Sequence, residues 1–241
     1  VTGRLYGIGL GPGDPELMTL KAVRCLKAAP VVAYFCKKDG RGHARTIVDE
    51  HLPDACEEVR LAYPVTTEIP VHHQAYAACL APFYAQAAER IAAHLDAGRD
   101  VALICEGDPL FYGSFMHLYV RLRTRYPVTI VPGVSGMSGC WSAAGMPMSW
   151  GDDVLTVLPG TLPFESLREK LLGCDAAVVM KLGTNFSKVR AAVEAAGLMD
   201  EAVYVERGTM DGETVMPLAE MTATRAPYFS VVLIPGRGRR P

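Results

Sequence analysis

Short apolar runs set apart by helix-sized intervals dominate the first part of the chain. Leu5 to Leu10, Val31 to Cys36, Val101 to Cys105 and Val128 to Val131 are rich in β-branched residues, and each runs into turn or helix signals. Runs of this kind read as strands buried on both faces, and helical intervals between them are the crossovers of a parallel sheet. The clearest helix is Gln74 to Leu95, where Ala, Leu, Phe and Ile recur at helical spacing and Gly98 follows just past the end. A shorter helix-like stretch spans Glu16 to Ala29. Gly145-Met-Pro-Met-Ser-Trp-Gly-Asp-Asp153 interrupts the pattern with proline, two glycines and two acids. We therefore expect an N-terminal α/β domain over 1–145 and a C-terminal α/β domain over 146–241.

Beyond the break, Val154 to Leu158, Ala176 to Met180, Ala202 to Val205, Glu213 to Met216 and Phe229 to Ile234 are strand candidates. Leu162 to Leu172 and Lys188 to Ala196 are helices between the first three. The later strands lie too close together for crossover helices, which predicts a mixed sheet. The expected fold is thus α/β, with a mainly parallel N-terminal sheet, a mixed C-terminal sheet and flanking helices.

Composition narrows the partners. Half of the 241 residues are hydrophobic, and 24 Lys and Arg stand against 26 Asp and Glu. That near balance gives no basic field of the kind that drives phosphate-backbone binding, so nucleic acid is not an expected partner. The seven cysteines are scattered, with no Cys-x-x-Cys pair and no histidine at metal-ligand spacing. They read as small core residues of a protein in a reducing compartment. No signal-peptide pattern and no membrane-length apolar run is present, so a cytoplasmic protein is expected. His72-His73 reads as a solvated helix start, and no metal is expected.

The chemistry concentrates at two turns. Gly9-Leu-Gly-Pro-Gly-Asp-Pro15 follows the first apolar run and Glu106-Gly-Asp-Pro109 follows the third. Glycines there permit close approach or positive φ, prolines stop the strand, and each Asp can cap free amides or face a ligand. The first turn is no dinucleotide fingerprint, because its third glycine is misplaced. It is no P-loop either, since no Lys-Ser or Lys-Thr closes it. A lone Asp-Pro turn is ordinarily a cap; two of them with further blocks downstream point to a site between them.

Those blocks carry a resemblance. With Thr19-Leu-Lys-Ala22, Glu106-Gly-Asp-Pro-Leu-Phe-Tyr-Gly113, Val131-Pro-Gly-Val-Ser135, Met180-Lys-Leu-Gly183, Tyr204-Val-Glu-Arg-Gly-Thr209 and Tyr228-Phe-Ser-Val-Val-Leu-Ile-Pro-Gly236, the chain resembles the class III, tetrapyrrole-type S-adenosylmethionine methyltransferases over nearly its whole length. Within them it is similar to the enzymes that methylate precorrin-2 at C20 in corrin synthesis. The resemblance implies S-adenosyl-L-methionine as methyl donor, S-adenosyl-L-homocysteine as product, a cofactor cleft between the domains, and a homodimer. Gly107, Asp108, Phe111, Ser135, Gly136, Leu182, Arg207, Gly208 and Thr209 would hold the cofactor. The first turn would line the substrate trough through Gly11, Pro12 and Gly13.

Because precorrin-2 carries many carboxylates, cations are expected at the trough rim. Lys37, Lys38, Arg41, Arg45, Arg60, His72 and His73 are placed there by location, with Lys38 and Arg60 the named candidates. Tyr112 is either a packed core aromatic or a hydroxyl donor to the substrate. Carbon methylation ends in loss of a proton, for which Asp14 and Glu106 are the candidate carboxylates. Competing readings are the cobalt-precorrin-2 enzyme of the anaerobic route, a relative acting on protein or ribosomal RNA, and a noncatalytic tetrapyrrole carrier.

Overall fold

The computed structural model describes residues 1–53, 55–65 and 74–238, with side chains of the 74–96 helix described from residue 78. The chain divides into two compact units, Val1–Ser135 and Gly136–Pro241. This division falls ahead of the interruption at Gly145. His72 and His73 lie outside the described residues.

The first unit is built on five parallel strands, β1 (Leu5–Gly9), β2 (Val31–Cys36), β3 (Glu57–Ala62), β4 (Val101–Cys105) and β5 (Val128–Val131), in the order β3-β2-β4-β1-β5. The four apolar runs are the four strands β1, β2, β4 and β5. β3 is not among them. It is an edge strand whose Val59 and Leu61 point into the core while Glu57, Glu58 and Arg60 stay exposed, so its hydrophobicity alternates.

Helices α1 (Leu20–Ala28) and α2 (His43–Ile47) cover one face, where Ala22, Leu26, Ala44 and Ile47 pack on Ile8, Val32 and Ile104. Helices α3 (Gln74–Asp96) and α4 (Phe115–Leu122) cover the other, with Ile91, Leu95, Phe115 and Leu118 on Leu5, Ala33 and Leu103. The stretch read as one helix from Glu16 to Ala29 is two pieces. A 3-10 turn, Pro15–Leu17, is capped by Asp14, and α1 begins only after Thr19, whose hydroxyl accepts from Ala22 N at 3.1 Å. A good N-cap residue inside an apolar stretch restarts the helix there.

The second unit opens with α5 (Gly136–Ala143). It continues as β6 (Leu155–Pro159), α6 (Phe164–Leu172), β7 (Ala176–Met180), α7 (Phe186–Ala195), β8 (Val203–Glu206), β9 (Thr214–Pro217) and β10 (Ser230–Ile234). Its sheet runs β6-β7-β10-β8-β9, with β6 and β7 parallel and the other pairs antiparallel. The mixed sheet follows from connection length, since only β6–β7 and β7–β8 are joined through a helix. α6 and α7 fill one face around Phe186 and Tyr204. Cys140 of α5 packs on the opposite face with Val178, Val205 and Leu233, which ties α5 to this unit. Among the described residues no helix is long and apolar enough to cross a membrane.

Candidate active site

The first sheet is doubly wound, and its switch point lies between neighbours β4 and β1. α1 leaves β1 across one face toward β2, whereas α4 leaves β4 across the other toward β5. The two connections part there and leave a crevice at the carboxyl ends of the strands, the usual ligand position in such sheets. Both Gly-Asp-Pro turns open into it.

Backbone crosses backbone at this point. Gly11 and Gly107 form an antiparallel bridge, with Gly107 N donating to Gly11 O at 2.7 Å and Gly11 N to Gly107 O at 3.4 Å. A Cβ added at Gly133 would stand 2.1 Å from Gly107 O, and one at Gly9 would stand 2.6 Å from both Gly107 O and Gly133 N. The loops after β1, β4 and β5 therefore meet backbone to backbone, at a distance only glycine allows. Gly9 and Gly133 were quoted in the sequence blocks but not singled out as site residues. Their signal was glycine recurring just past three strand ends.

The carboxylates at the crossing are anchored on amides. Asp108 Oδ1 accepts from Leu110 N at 2.9 Å, and its Oδ2 accepts from Gly133 N at 3.1 Å, so one side chain clasps the second turn to the loop after β5. Asp14 Oδ1 accepts from Glu16 N at 2.8 Å and Glu106 Oε1 from Ala44 N at 2.9 Å at the start of α2. Among the described residues the second oxygen of Asp14 and that of Glu106 make no hydrogen bond. Asp14 is half-buried and Glu106 exposed. Gly11 and Pro12 are buried beneath the turn and Gly13 is half-buried.

Beside the crevice lies an open cavity of about 510 Å³ lined by Tyr34, Lys38, Asp39, Gly40, Arg41 and Arg60. This brings together Lys38 and Arg60, whose guanidinium donates to Gly40 O at 3.0 Å. Arg41 is paired to Asp49. Arg45 is structural: only 8% exposed, it forks onto Glu58 at 2.7 and 2.9 Å and also reaches Asp49. That pairing holds the Glu58 carboxyl below its usual range. Burial, together with the Glu58 hydrogen bond, pushes the Tyr34 phenol up to about 12. Of the cations lining this cavity, Lys38 and Arg60 thus make no ion pair among the described residues.

Tyr112 is 44% exposed with φ 55°, its ring edge-on to half-buried Phe111 at 4.8 Å, so it is no packed core aromatic. Ser114, which ends this loop, receives Tyr63 OH at 2.6 Å and lies 3.2 Å from Tyr84 OH. Ser135 is half-buried, and a Cβ at Gly136 would project into open space.

In the second unit the motif blocks fall just past the ends of β7 and β8. Among the described residues the non-glycine residues at positive φ are Lys181 (57°), Arg207 (53°) and Thr209 (68°) inside those blocks and Tyr112 inside the Glu106–Gly113 block of the first unit. A β-branched residue in that region is strained, and such strain collects at ligand clamps. Thr209 also has a buried hydroxyl with no hydrogen-bond partner, while its amide donates to Glu213 at 2.7 Å. Gly208 must be glycine, since a Cβ would meet Cys140 at 2.9 Å. Arg207 Nε donates to Asp211 O at 2.7 Å. Leu182 is fully buried in the core with Phe186 and Val189, and its carbonyl accepts from Asn185 N at 2.7 Å, so it presents no exposed surface to a ligand. Burial pushes the thiols of Cys105 and Cys140 up, the latter to about 11, which keeps both out of nucleophilic chemistry at neutral pH.

Residues 4–222 match the family model of Tetrapyrrole (Corrin/Porphyrin) Methylases. The chain belongs to this family. A precorrin-2 C(20)-methyltransferase from Sinorhizobium sp is 54% identical to it over 99% of the chain and 98% of that protein. The cobalamin biosynthesis protein CobIJ of Mycobacterium tuberculosis is 51% identical over 99% of the chain, which spans 47% of that longer protein. Among solved structures, a uroporphyrin-III C-methyl transferase from Thermus thermophilus, complexed with S-adenyl homocysteine, aligns with TM-score 0.66 and 25% identity over 96% of this chain and 97% of that one. These tetrapyrrole methylases share the parallel and the mixed five-stranded sheets described above.

Proposed function

We propose that this chain methylates C20 of precorrin-2, with S-adenosyl-L-methionine as donor, giving precorrin-3A and S-adenosyl-L-homocysteine on the cobalamin route. The full-length likeness to the Sinorhizobium C20 enzyme carries the reading, and the glycine crossing at the switch point supports it. Three local features of this chain suit an adenosyl ligand. The Thr209 hydroxyl is buried without a partner, left-handed backbone clusters in the blocks, and open space lies beside Gly136 and Gly183.

When bound, the donor supplies a methyl group already activated by its sulfonium. What remains for the protein is alignment, the main device for such a transfer. In our reading Gly107, Phe111 and Ser135 shape the donor site on the first unit, and Asp108 holds that shape through its two amide contacts. On the second unit Gly136, Arg207, Gly208 and Thr209 contribute through main-chain groups and the Thr209 hydroxyl, and Leu182 backs them from the core. Gly11, Pro12, Gly13 and Tyr112 line the tetrapyrrole site, and Lys38 and Arg60 meet peripheral carboxylates at the cavity beside Tyr34. As the new carbon–carbon bond forms, the carbon–sulfur bond breaks, its electron pair stays on sulfur, and C20 must then lose its proton. In this reading the second oxygen of Asp14 or of Glu106 takes it.

Incubation of the chain with the donor and either metal-free or cobalt-loaded precorrin-2 tests the reading. A single methyl gain at C20 on the metal-free substrate is the expected result. Methylation of the cobalt-loaded compound alone would place the enzyme on the anaerobic route, and tetrapyrrole binding without transfer would make it a carrier.

A homodimer belongs to the same proposal. Along the sequence the Gln74 to Leu95 helix carries Tyr76, Phe83 and Tyr84 besides its alanines, more apolar surface than one sheet face is expected to cover; Phe83 and Tyr84 are instead taken up by the unit's own core, and Tyr76 lies outside the described side chains. The remaining support is the small apolar face of Ala78, Ala81, Pro82 and Ala85, which stays exposed on α3. Light scattering over a dilution series decides it, because a monomer mass at micromolar concentration contradicts the dimer. We assign the enzyme to the cytoplasm, a reading supported by seven unpaired cysteines.

A further inference from the structure

The first unit has a second cavity, of about 350 Å³, at the opposite end of its sheet from the glycine crossing. Its floor is made by Tyr6 and Thr129, register partners near the starts of β1 and β5, with Asp100 directly before β4. Its wall is one face of α1, where Lys21, Arg24 and Cys25 stand at helical spacing. Of these residues only Lys21 belongs to a motif block, Thr19-Leu-Lys-Ala22, and the proposed methyl transfer uses none of them.

The hydrogen-bond accounting of the cavity is one-sided. Thr129 Oγ1 accepts from the Arg4 guanidinium at 3.1 Å, which leaves its hydroxyl proton to be donated elsewhere. The half-buried Tyr6 hydroxyl has no partner among the described residues. Burial and the neighbouring Asp100 raise its pKa, so it stays a neutral donor. Lys21 and Arg24 are exposed and make no ion pair or hydrogen bond among the described residues. Against these donors stands one carboxylate, Asp100, of which one oxygen already accepts from Arg4 N at 2.7 Å. Two hydroxyls on the floor, two ammonium or guanidinium groups on the wall and a third cation behind Thr129 leave acceptors in short supply. A cation finds one carboxylate against three positive groups, and an apolar ligand would bury hydroxyls unsatisfied.

We propose that this cavity binds a small oxyanion, a phosphate or a compact carboxylate, held by Tyr6, Thr129, Lys21 and Arg24. Such a ligand ties α1 to β1 and β5, the strands whose far ends carry the glycine crossing. The volume suits a small molecule rather than a polymer.

Cys25 gives a local probe that does not depend on activity. In the full chain, the rate of alkylation of each cysteine is read by peptide mass spectrometry in inorganic phosphate, citrate or chloride at equal ionic strength. Phosphate or citrate at millimolar concentration should slow Cys25 while leaving half-buried Cys56 and Cys174 unchanged, and chloride should do neither. Protection by phosphate alone identifies a phosphate ligand, and protection by citrate alone a carboxylate; either supports the site. Lys21→Gln with Arg24→Gln, both exposed and harmless to folding, should weaken protection about 25-fold, at roughly fivefold for each partly screened charge. Tyr6→Phe should weaken it several-fold, and Asp100→Asn should strengthen it by about fivefold. No protection at tens of millimolar by either anion overturns the proposal. So does protection that the double variant retains in full.

Discussion

Asp108 is the residue whose removal separates a structural turn from a binding turn. Its two oxygens accept from Leu110 N at 2.9 Å and Gly133 N at 3.1 Å. A hydrogen bond to a charged group contributes about 1.5–3 kcal/mol, and the half-buried setting puts each at the low end. Asp108→Ala should therefore cost about 3 kcal/mol, a substantial part of the roughly 5–15 kcal/mol that holds a typical protein folded. At about 2–4 °C per kcal/mol for a chain of this size, the melting temperature should fall by roughly 6–12 °C. Asp108→Asn keeps the acceptor facing Leu110 but turns an amide donor toward Gly133 N, so its cost should be about 2 kcal/mol. Because the clasp sets the spacing between the second turn and the loop after β5, S-adenosyl-L-homocysteine affinity should fall at least about tenfold in either variant below its melting range. Thermal melts and calorimetric titration at one temperature give both quantities. A folded Ala variant with unchanged affinity would reduce Asp108 to a fold-holding cap. Unchanged melting would refute the clasp itself.

Asp14→Asn retains an acceptor for Glu16 N, so cofactor affinity should be spared while methyl transfer slows by about 100-fold or more; undiminished single-turnover rates would remove Asp14 from the proton step. Gly133→Ala forces a Cβ to within 2.1 Å of Gly107 O and should destabilise the first unit by about 3 kcal/mol, as read by urea unfolding, with a loss under about 0.5 kcal/mol contradicting the crossing. His94 accepts from the Arg99 guanidinium at 2.6 Å, and burial, then Arg99, lowers its pKa from the ordinary 6.5. With the folded value below the unfolded one, its contribution is complete above pH 6.5 and is lost as pH falls below that value, so the urea midpoint should drop between pH 7.5 and pH 5 and His94→Gln should flatten that drop.

The strands of this protein are written locally. β2, β4 and β7 coincide with apolar runs because a strand buried on both faces needs apolar residues at consecutive positions. The mixed second sheet was legible too, from strands too close together to be joined by helices. β3 escaped that pattern, since an edge strand buries only Val59 and Leu61. Glu16 to Ala29 looked continuous because periodicity does not register a cap, and Thr19 is what divides it.

For the site, the chain itself declared the residue types, two Gly-Asp-Pro turns and glycines past the strand ends. It could not declare that Gly9, Gly107 and Gly133 meet, because their contact depends on the strand order β4-β1-β5, a long-range pairing no local spacing encodes. Partner choice among charges was equally hidden. Lys38, Arg41, Arg45 and Arg60 look alike along the chain, yet burial commits Arg45 to Glu58 and Asp49 and leaves Lys38 and Arg60 at the cavity. Composition and periodicity act through neighbours in sequence, so they determined the elements. Which carboxylate holds a loop and which cation stays open to a ligand is settled by groups distant in sequence but adjacent in space, and only the tertiary structure decided that.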